Sequence, residues 1–166
     1  MKTGLYIGRF QPFHRGHLSV VRQALKEVGK LIIGIGSSQY HGQPQNPLSG
    51  RERLEVVQAA ISEAGLSDKV SIYLVPDIHD DDKWAQHVKS IVPPFEVVFV
   101  GDEGLVKELF KKVHTPVITA ERELDISATG IRQKVLDGKE WQADLPPAVA
   151  TYLEALNFSG RLKQLP

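Results

Sequence analysis

Apolar residues along the chain fall into two alternating patterns. Short runs rich in branched residues, at Leu5 to Ile7, Leu31 to Ile35, Val70 to Val75, Glu96 to Val100 and Val117 to Ile118, read as strands. Between them apolar residues recur at helical spacing: Leu18, Val21, Leu25 and Val28 over His17 to Val28, and Leu54, Val57 and Ile61 over Gly50 to Glu63. Asp82 to Val92 and Leu105 to Lys111 read as two more helices. Strands that are apolar throughout and alternate with helices predict an α/β fold, a doubly wound parallel five-stranded sheet covered on both faces. Any ligand crevice is then expected outside the carboxyl ends of the strands.

From about residue 120 the pattern becomes helical. In Asp125 to Gly138, Ser127 or Thr129 serves as an N-cap, Ile131 and Val135 supply core contacts, and Gly138 stops the helix. Pro146 and Pro147 open a last helix that runs to about Leu156. The tail from Asn157 reads either as a loose end or as a segment that docks on a neighbour. No internal repeat or low-complexity linker divides the chain, so residues 1–166 are expected to form a single domain, large enough to bury a core without disulfides.

Composition narrows the classes of function. Lys and Arg number 20 and Asp and Glu number 20, a balance that argues against nucleic acid or an anionic membrane as the main partner. The lack of cysteine removes disulfides, a thiolate nucleophile and cysteine-ligated zinc, and suits a reducing compartment. The first ten residues have only a short apolar run, broken by Gly8 and Arg9, and resemble neither a signal peptide nor a membrane span. A cytoplasmic protein is expected.

The segment Gly8 to His17, GRFQPFHRGH, changes the picture most. It lies between a strand ending at Gly8 and a helix beginning near His17, where backbone amides and the positive end of the helix dipole favour an anion such as phosphate. His14 and His17 are three residues apart and reach the same side, and Gly16 leaves room for a ligand to approach. Neutral imidazoles there donate hydrogen bonds to phosphate oxygens without carrying a permanent charge. The segment is neither a P-loop nor a G-x-G-x-x-G turn, and no third ligand accompanies the histidines, so no metal site is expected.

GRFQPFHRGHL together with ISATGIR, residues 126–132, resembles the H-x-G-H nucleotidyltransferase superfamily, and within it most closely the archaeal-type nicotinamide-mononucleotide adenylyltransferases. The likeness runs through NPLSGRER, PDIHDDDKWAQHV and PPFEVVFVG, and so covers nearly the whole chain. It implies a Rossmann-like sheet and a direct in-line attack of nicotinamide mononucleotide on the α-phosphorus of ATP, giving NAD and pyrophosphate, with Mg²⁺ delivered on the ATP. By resemblance, Gly8, Arg9 and Phe10 line the ATP site, His14 and His17 contact its triphosphate, and Ser127, Thr129 and Arg132 hold its phosphates from a helix start. His14, His17 and Arg132 then stabilise the developing charge.

The resemblance also assigns Ile78 and Asp81 to the nicotinamide through their backbone, Trp84 to stacking on its ring, and Arg53 to a substrate phosphate. Asp77 is a further candidate. Read as residues alone, Trp84 equally suits a core aromatic, the aspartates a solvated helix start, and Ser127 a plain cap. Relatives often carry a basic residue where Gln45 stands and a glycine where Arg51 stands, which leaves one phosphate contact either lost or moved to Arg51. The shared H-x-G-H loop leaves other acceptors open, such as phosphopantetheine, a flavin mononucleotide or choline phosphate, as well as a nucleotide sensor without catalysis. Family habit further implies a homo-oligomer.

Overall fold

The computed structural model describes all 166 residues, Met1–Pro166. Five strands, β1 (Thr3–Gly8), β2 (Lys30–Gly36), β3 (Val70–Val75), β4 (Val97–Val100) and β5 (Val117–Thr119), form one sheet in the order β3-β2-β1-β4-β5. Every pairing is parallel, with Leu5 beside Ile32 on one side of β1 and Val98 on the other. The chain thus moves outward from β1 to β3, then returns to lay β4 on the far side of β1. That reversal makes the carboxyl end of β1 the switch point where a crevice opens.

Helices α1 (Arg15–Glu27) and α2 (Gly50–Glu63) pack on one face of the sheet, and α3 (Asp81–Ile91) and α4 (Leu105–Lys112) on the other. Alternation along β1 sorts its side chains between the layers: Tyr6 joins the core under α1 and α2, whereas Leu5 and Ile7 join the core under α3 and α4. The outer strands depart from continuous burial. Leu74 on β3 and Ile118 on β5 are 37% and 41% exposed, because an edge strand has a neighbour on one side only.

The helical end of the chain comprises α5 (Ala128–Leu136), a 3₁₀ turn (Gln142–Asp144), α6 (Pro147–Ala155) and α7 (Phe158–Gln164). Ser127, rather than Thr129, caps α5 by accepting from the Gly130 amide at 3.0 Å, and Gly138 follows it at φ +68°. The tail is neither loose nor reserved for a neighbour. Asn157 caps α7, Phe158 and Leu162 are buried in the larger core, and Arg161 reaches Glu52 on α2 at 2.6 Å.

Candidate active site

The first turn of α1 is closed by two histidines that cap each other. His14, not His17, is the N-cap: its Nδ1 accepts from the amides of Gly16 at 3.0 Å and His17 at 3.4 Å, while the His14 amide donates to His17 Nδ1 at 3.0 Å. Because both Nδ1 atoms accept, each neutral ring carries its proton on Nε2, the nitrogen left free to donate outward. The rings stack with centroids 3.6 Å apart, and the Phe10 and Phe13 rings pack against His17 at 4.9 and 5.3 Å. Burial pulls His14 down to about 4 and holds His17 well below the ordinary imidazole range, with His14 adding to the second shift. Both are neutral donors at pH 7. A Cβ on Gly16 would stand 2.8 Å from the His14 ring, so the glycine makes room for the imidazole itself.

The loop before α1 is held from below and from the side. Phe10 takes a left-handed backbone, φ 56°, with its ring 2% exposed between Tyr6 and Phe13. The Gln11 side chain pairs with the amide and carbonyl of Leu48, both at 2.9 Å. Arg132 donates to the Gln11 carbonyl at 2.7 Å and to Thr129 Oγ1 at 3.3 Å.

Arg53, expected to meet a substrate phosphate, is enclosed by backbone carbonyls and lines neither cavity at the end of β1. It is 0% exposed, and its guanidinium donates to the carbonyls of Arg9, Gly36, Ser37, Tyr40 and Ser49 at 2.9–3.3 Å, which uses all five of its N–H groups. Its role is to tie the loop after β1 to the loop after β2. Burial lowers it to about 10, with the charge of Arg9 adding to the shift, and the same two causes in the same order lower Arg132. Arg9 thus lies near both Arg53 and Arg132, and none of the three has a carboxylate partner. Such a cluster leaves positive charge to be met by an anion.

Two cavities meet at the end of β1, sharing Ile7 and Gly8. The first, about 310 Å³, is lined by His14, His17 and Ser127 at one end and by Tyr6, Gly101 and Asp102 nearer β4. The second, about 170 Å³, is lined by Arg9, Ser37, Asp77, Asp81 and Trp84. Trp84 is half-buried, its ring edge-on to Phe110 at 5.5 Å. A larger and more open depression of about 720 Å³ lies elsewhere, between α1 and the 3₁₀ turn. Size does not select it, since it lies away from the strand ends and holds neither histidine.

Not every expected residue reaches these cavities. Arg9 opens into the second rather than the first, and Phe10 turns its ring into the core, leaving only its backbone for a ligand. Ile78 is 38% exposed beside Asp77 and lines neither cavity, and the same holds for Arg51, which pairs with Glu55 at 3.3 Å. Thr129 and Arg132 stand on α5 without lining either. Sequence reasoning missed Tyr6, Gly101, Asp102 and, within the segment 121–126, Glu121 to Leu124 and Ile126 on the wall of the first cavity. That segment is pinned to α1 by the Gln23 amide, which pairs with the Glu121 carbonyl and amide at 2.9 Å each, and by Ser19 bonding to Glu123. One signal was available: the apolar run of β4 ends in Gly101-Asp102, a break at the switch point.

A fold with its crevice at such a switch point and paired histidines at a helix start defines a class, and residues 5–134 match the cytidylyltransferase-like family, to which the chain belongs. Its relatives narrow the class. The nicotinamide-nucleotide adenylyltransferase of Pyrococcus furiosus is 40% identical over 169 residues, covering 99% of this chain and 89% of that protein. That of Thermococcus onnurineus is 37% identical over 166 residues, covering 99% and 88%. A bifunctional NMN adenylyltransferase/ADP ribose pyrophosphatase from Francisella tularensis superposes with a TM-score of 0.81 at 25% identity. The match takes in 99% of this chain but 52% of that one, so the chain spans about half its length.

Proposed function

We propose that the protein transfers the adenylyl group of ATP to nicotinamide mononucleotide, giving NAD and pyrophosphate. The observation that carries this reading is the meeting of the two cavities at Gly8, with the paired histidines lining the first and the Arg9 cation lining the second. Two anions must be brought together there, and fixed positive charge offsets their repulsion.

ATP occupies the first cavity with its phosphates against the Nε2 donors of His14 and His17 and the Ser127 hydroxyl, with Arg132 adding its charge from α5 outside the cavity wall. The acceptor occupies the second, its phosphate toward Arg9 and its pyridinium against Trp84, with the backbone around Ile78 and Asp81 nearby. Indole and the carboxylates of Asp77 and Asp81 suit a cationic ring. An oxygen of the acceptor phosphate then attacks the α-phosphorus, the bond to the bridging oxygen breaks, and pyrophosphate leaves with the electron pair. No protein nucleophile takes part. Mg²⁺ comes as part of the substrate MgATP, bound to its phosphates. The same reading makes the protein cytoplasmic and homo-oligomeric, the first from its cysteine-free composition and the second from family habit. No helix is long and apolar enough to cross a membrane.

The test is incubation with MgATP and a panel of phosphate acceptors, following pyrophosphate. Release with nicotinamide mononucleotide is expected, and release with a different acceptor alone overturns the reading. Trp84→Ala is expected to raise the KM for nicotinamide mononucleotide by about tenfold or more, with the KM for ATP little changed. Equal effects on both substrates would remove Trp84 from the acceptor site.

A further inference from the structure

Tyr6, in the middle of β1, carries a hydroxyl that no protein group uses. The residue is 4% exposed, its ring edge-on to Phe10 at 5.5 Å and 6.5 Å from the His17 ring. Asn46 Oδ1 is the only fully enclosed side-chain polar atom without a hydrogen-bond partner. The Tyr6 hydroxyl also lacks a partner, so it must open onto the first cavity, whose wall the residue forms. A phenylalanine would fill the same volume in the core without an unpaired hydroxyl to desolvate. The hydroxyl therefore calls for a ligand atom.

We propose that the Tyr6 hydroxyl donates a hydrogen bond to a ribose hydroxyl of bound ATP and so positions the nucleotide beneath the paired histidines. The proposal rests on the reading that ATP fills the first cavity. Charge along that cavity favours the sugar as the acceptor. Its α1 end offers His14, His17 and the helix amides, which draw the phosphates. Its β4 side has Asp102, and its outer wall has Glu121 and Glu123 around an Arg122 that is itself paired with Asp125 at 3.2 Å, so a phosphate oxygen there would be repelled while a neutral sugar would not. Burial pushes the Tyr6 hydroxyl up, and the charge of Asp102 pushes it further, so it stays protonated and acts as a donor.

The experiment is Tyr6→Phe in the full chain. Wild-type NAD formation is measured first, and its failure would count against the acceptor reading alone, because ATP binding is then titrated by calorimetry without acceptor. Tyr6→Phe is expected to raise the Kd and KM for ATP about three- to tenfold, the worth of one neutral hydrogen bond. The KM for nicotinamide mononucleotide and the melting temperature should not worsen. With 2′-deoxy-ATP and 3′-deoxy-ATP, the penalty should vanish for at least one analogue, whose accepting oxygen is gone. An unchanged ATP affinity, a penalty of equal size for ATP and both analogues, or a lowered melting temperature with both substrates weakened alike would overturn the proposal.

Discussion

His14 and His17 show how one atom's structural duty prepares another for chemistry. Each Nδ1 is committed to a backbone amide, which fixes the tautomer and leaves Nε2–H as the outward donor. The two duties can be separated by His14→Asn, since asparagine is itself a favoured cap. We expect turnover to fall by about 10²-fold or more while the melting temperature moves by only a few degrees. Retained turnover would remove His14 from the phosphate site. The depressed imidazole also links stability to pH. The unfolded chain takes up the proton near 6.5 and the folded one only near 4, so this contribution is whole above about 6.5 and is lost as pH falls towards 4. The loss reaches about 3 kcal/mol at most, and His17 adds to it in the same direction. Urea unfolding at pH 7 and pH 4.5 should therefore show a smaller acid loss for His14→Asn than for the wild type, and parallel losses would contradict the assignment. The spacing of the histidines was legible in the sequence, but their reciprocal capping was not, because it depends on where α1 begins.

Between elements, Arg53 is the residue whose reading changed most. Its place in NPLSGRER suggested a ligand for phosphate, whereas the fold aims five carbonyls from two loops and the α2 cap at its guanidinium. A sequence displays the charge of a side chain but not the carbonyls that turn towards it. Lysine keeps the charge but has three donors for five acceptors, so Arg53→Lys is expected to destabilise by about 3 kcal/mol or more, roughly 6–12 °C in melting temperature. Both KM values should rise together, since the loops that Arg53 joins reach both cavities. An intact melting temperature with a KM defect for one substrate would restore it as a direct ligand.

Across the whole molecule, the C-terminal helices complete the larger core rather than decorate it. Phe158 is 0% exposed, and its ring lies 5.9 Å from that of Trp141; Arg161 meets Glu52, the residue that closes the α2 capping box with Ser49. Burial alone would raise the Glu52 carboxyl, but its bonds with Arg161 and Ser49 outweigh that and hold it below the usual range. Removing residues 157–166 should lower stability by about 3–5 kcal/mol, the worth of burying Phe158 and Leu162 together with that cap, and a thermal melt of the shortened chain measures it. A melt unchanged from the full chain would mean that the tail is dispensable. The alternation of strands and helices, the doubly wound class and the loop that carries the histidines can be read along the chain, because apolar periodicity and turn residues act over a few positions. The enclosure of Arg53, the closing of the core by α7, the meeting of two cavities at Gly8 and the place of Tyr6 on the wall of one of them emerge only from packing. Those facts depend on which groups, distant along the chain, are left with or without partners once the sheet and its helices have packed.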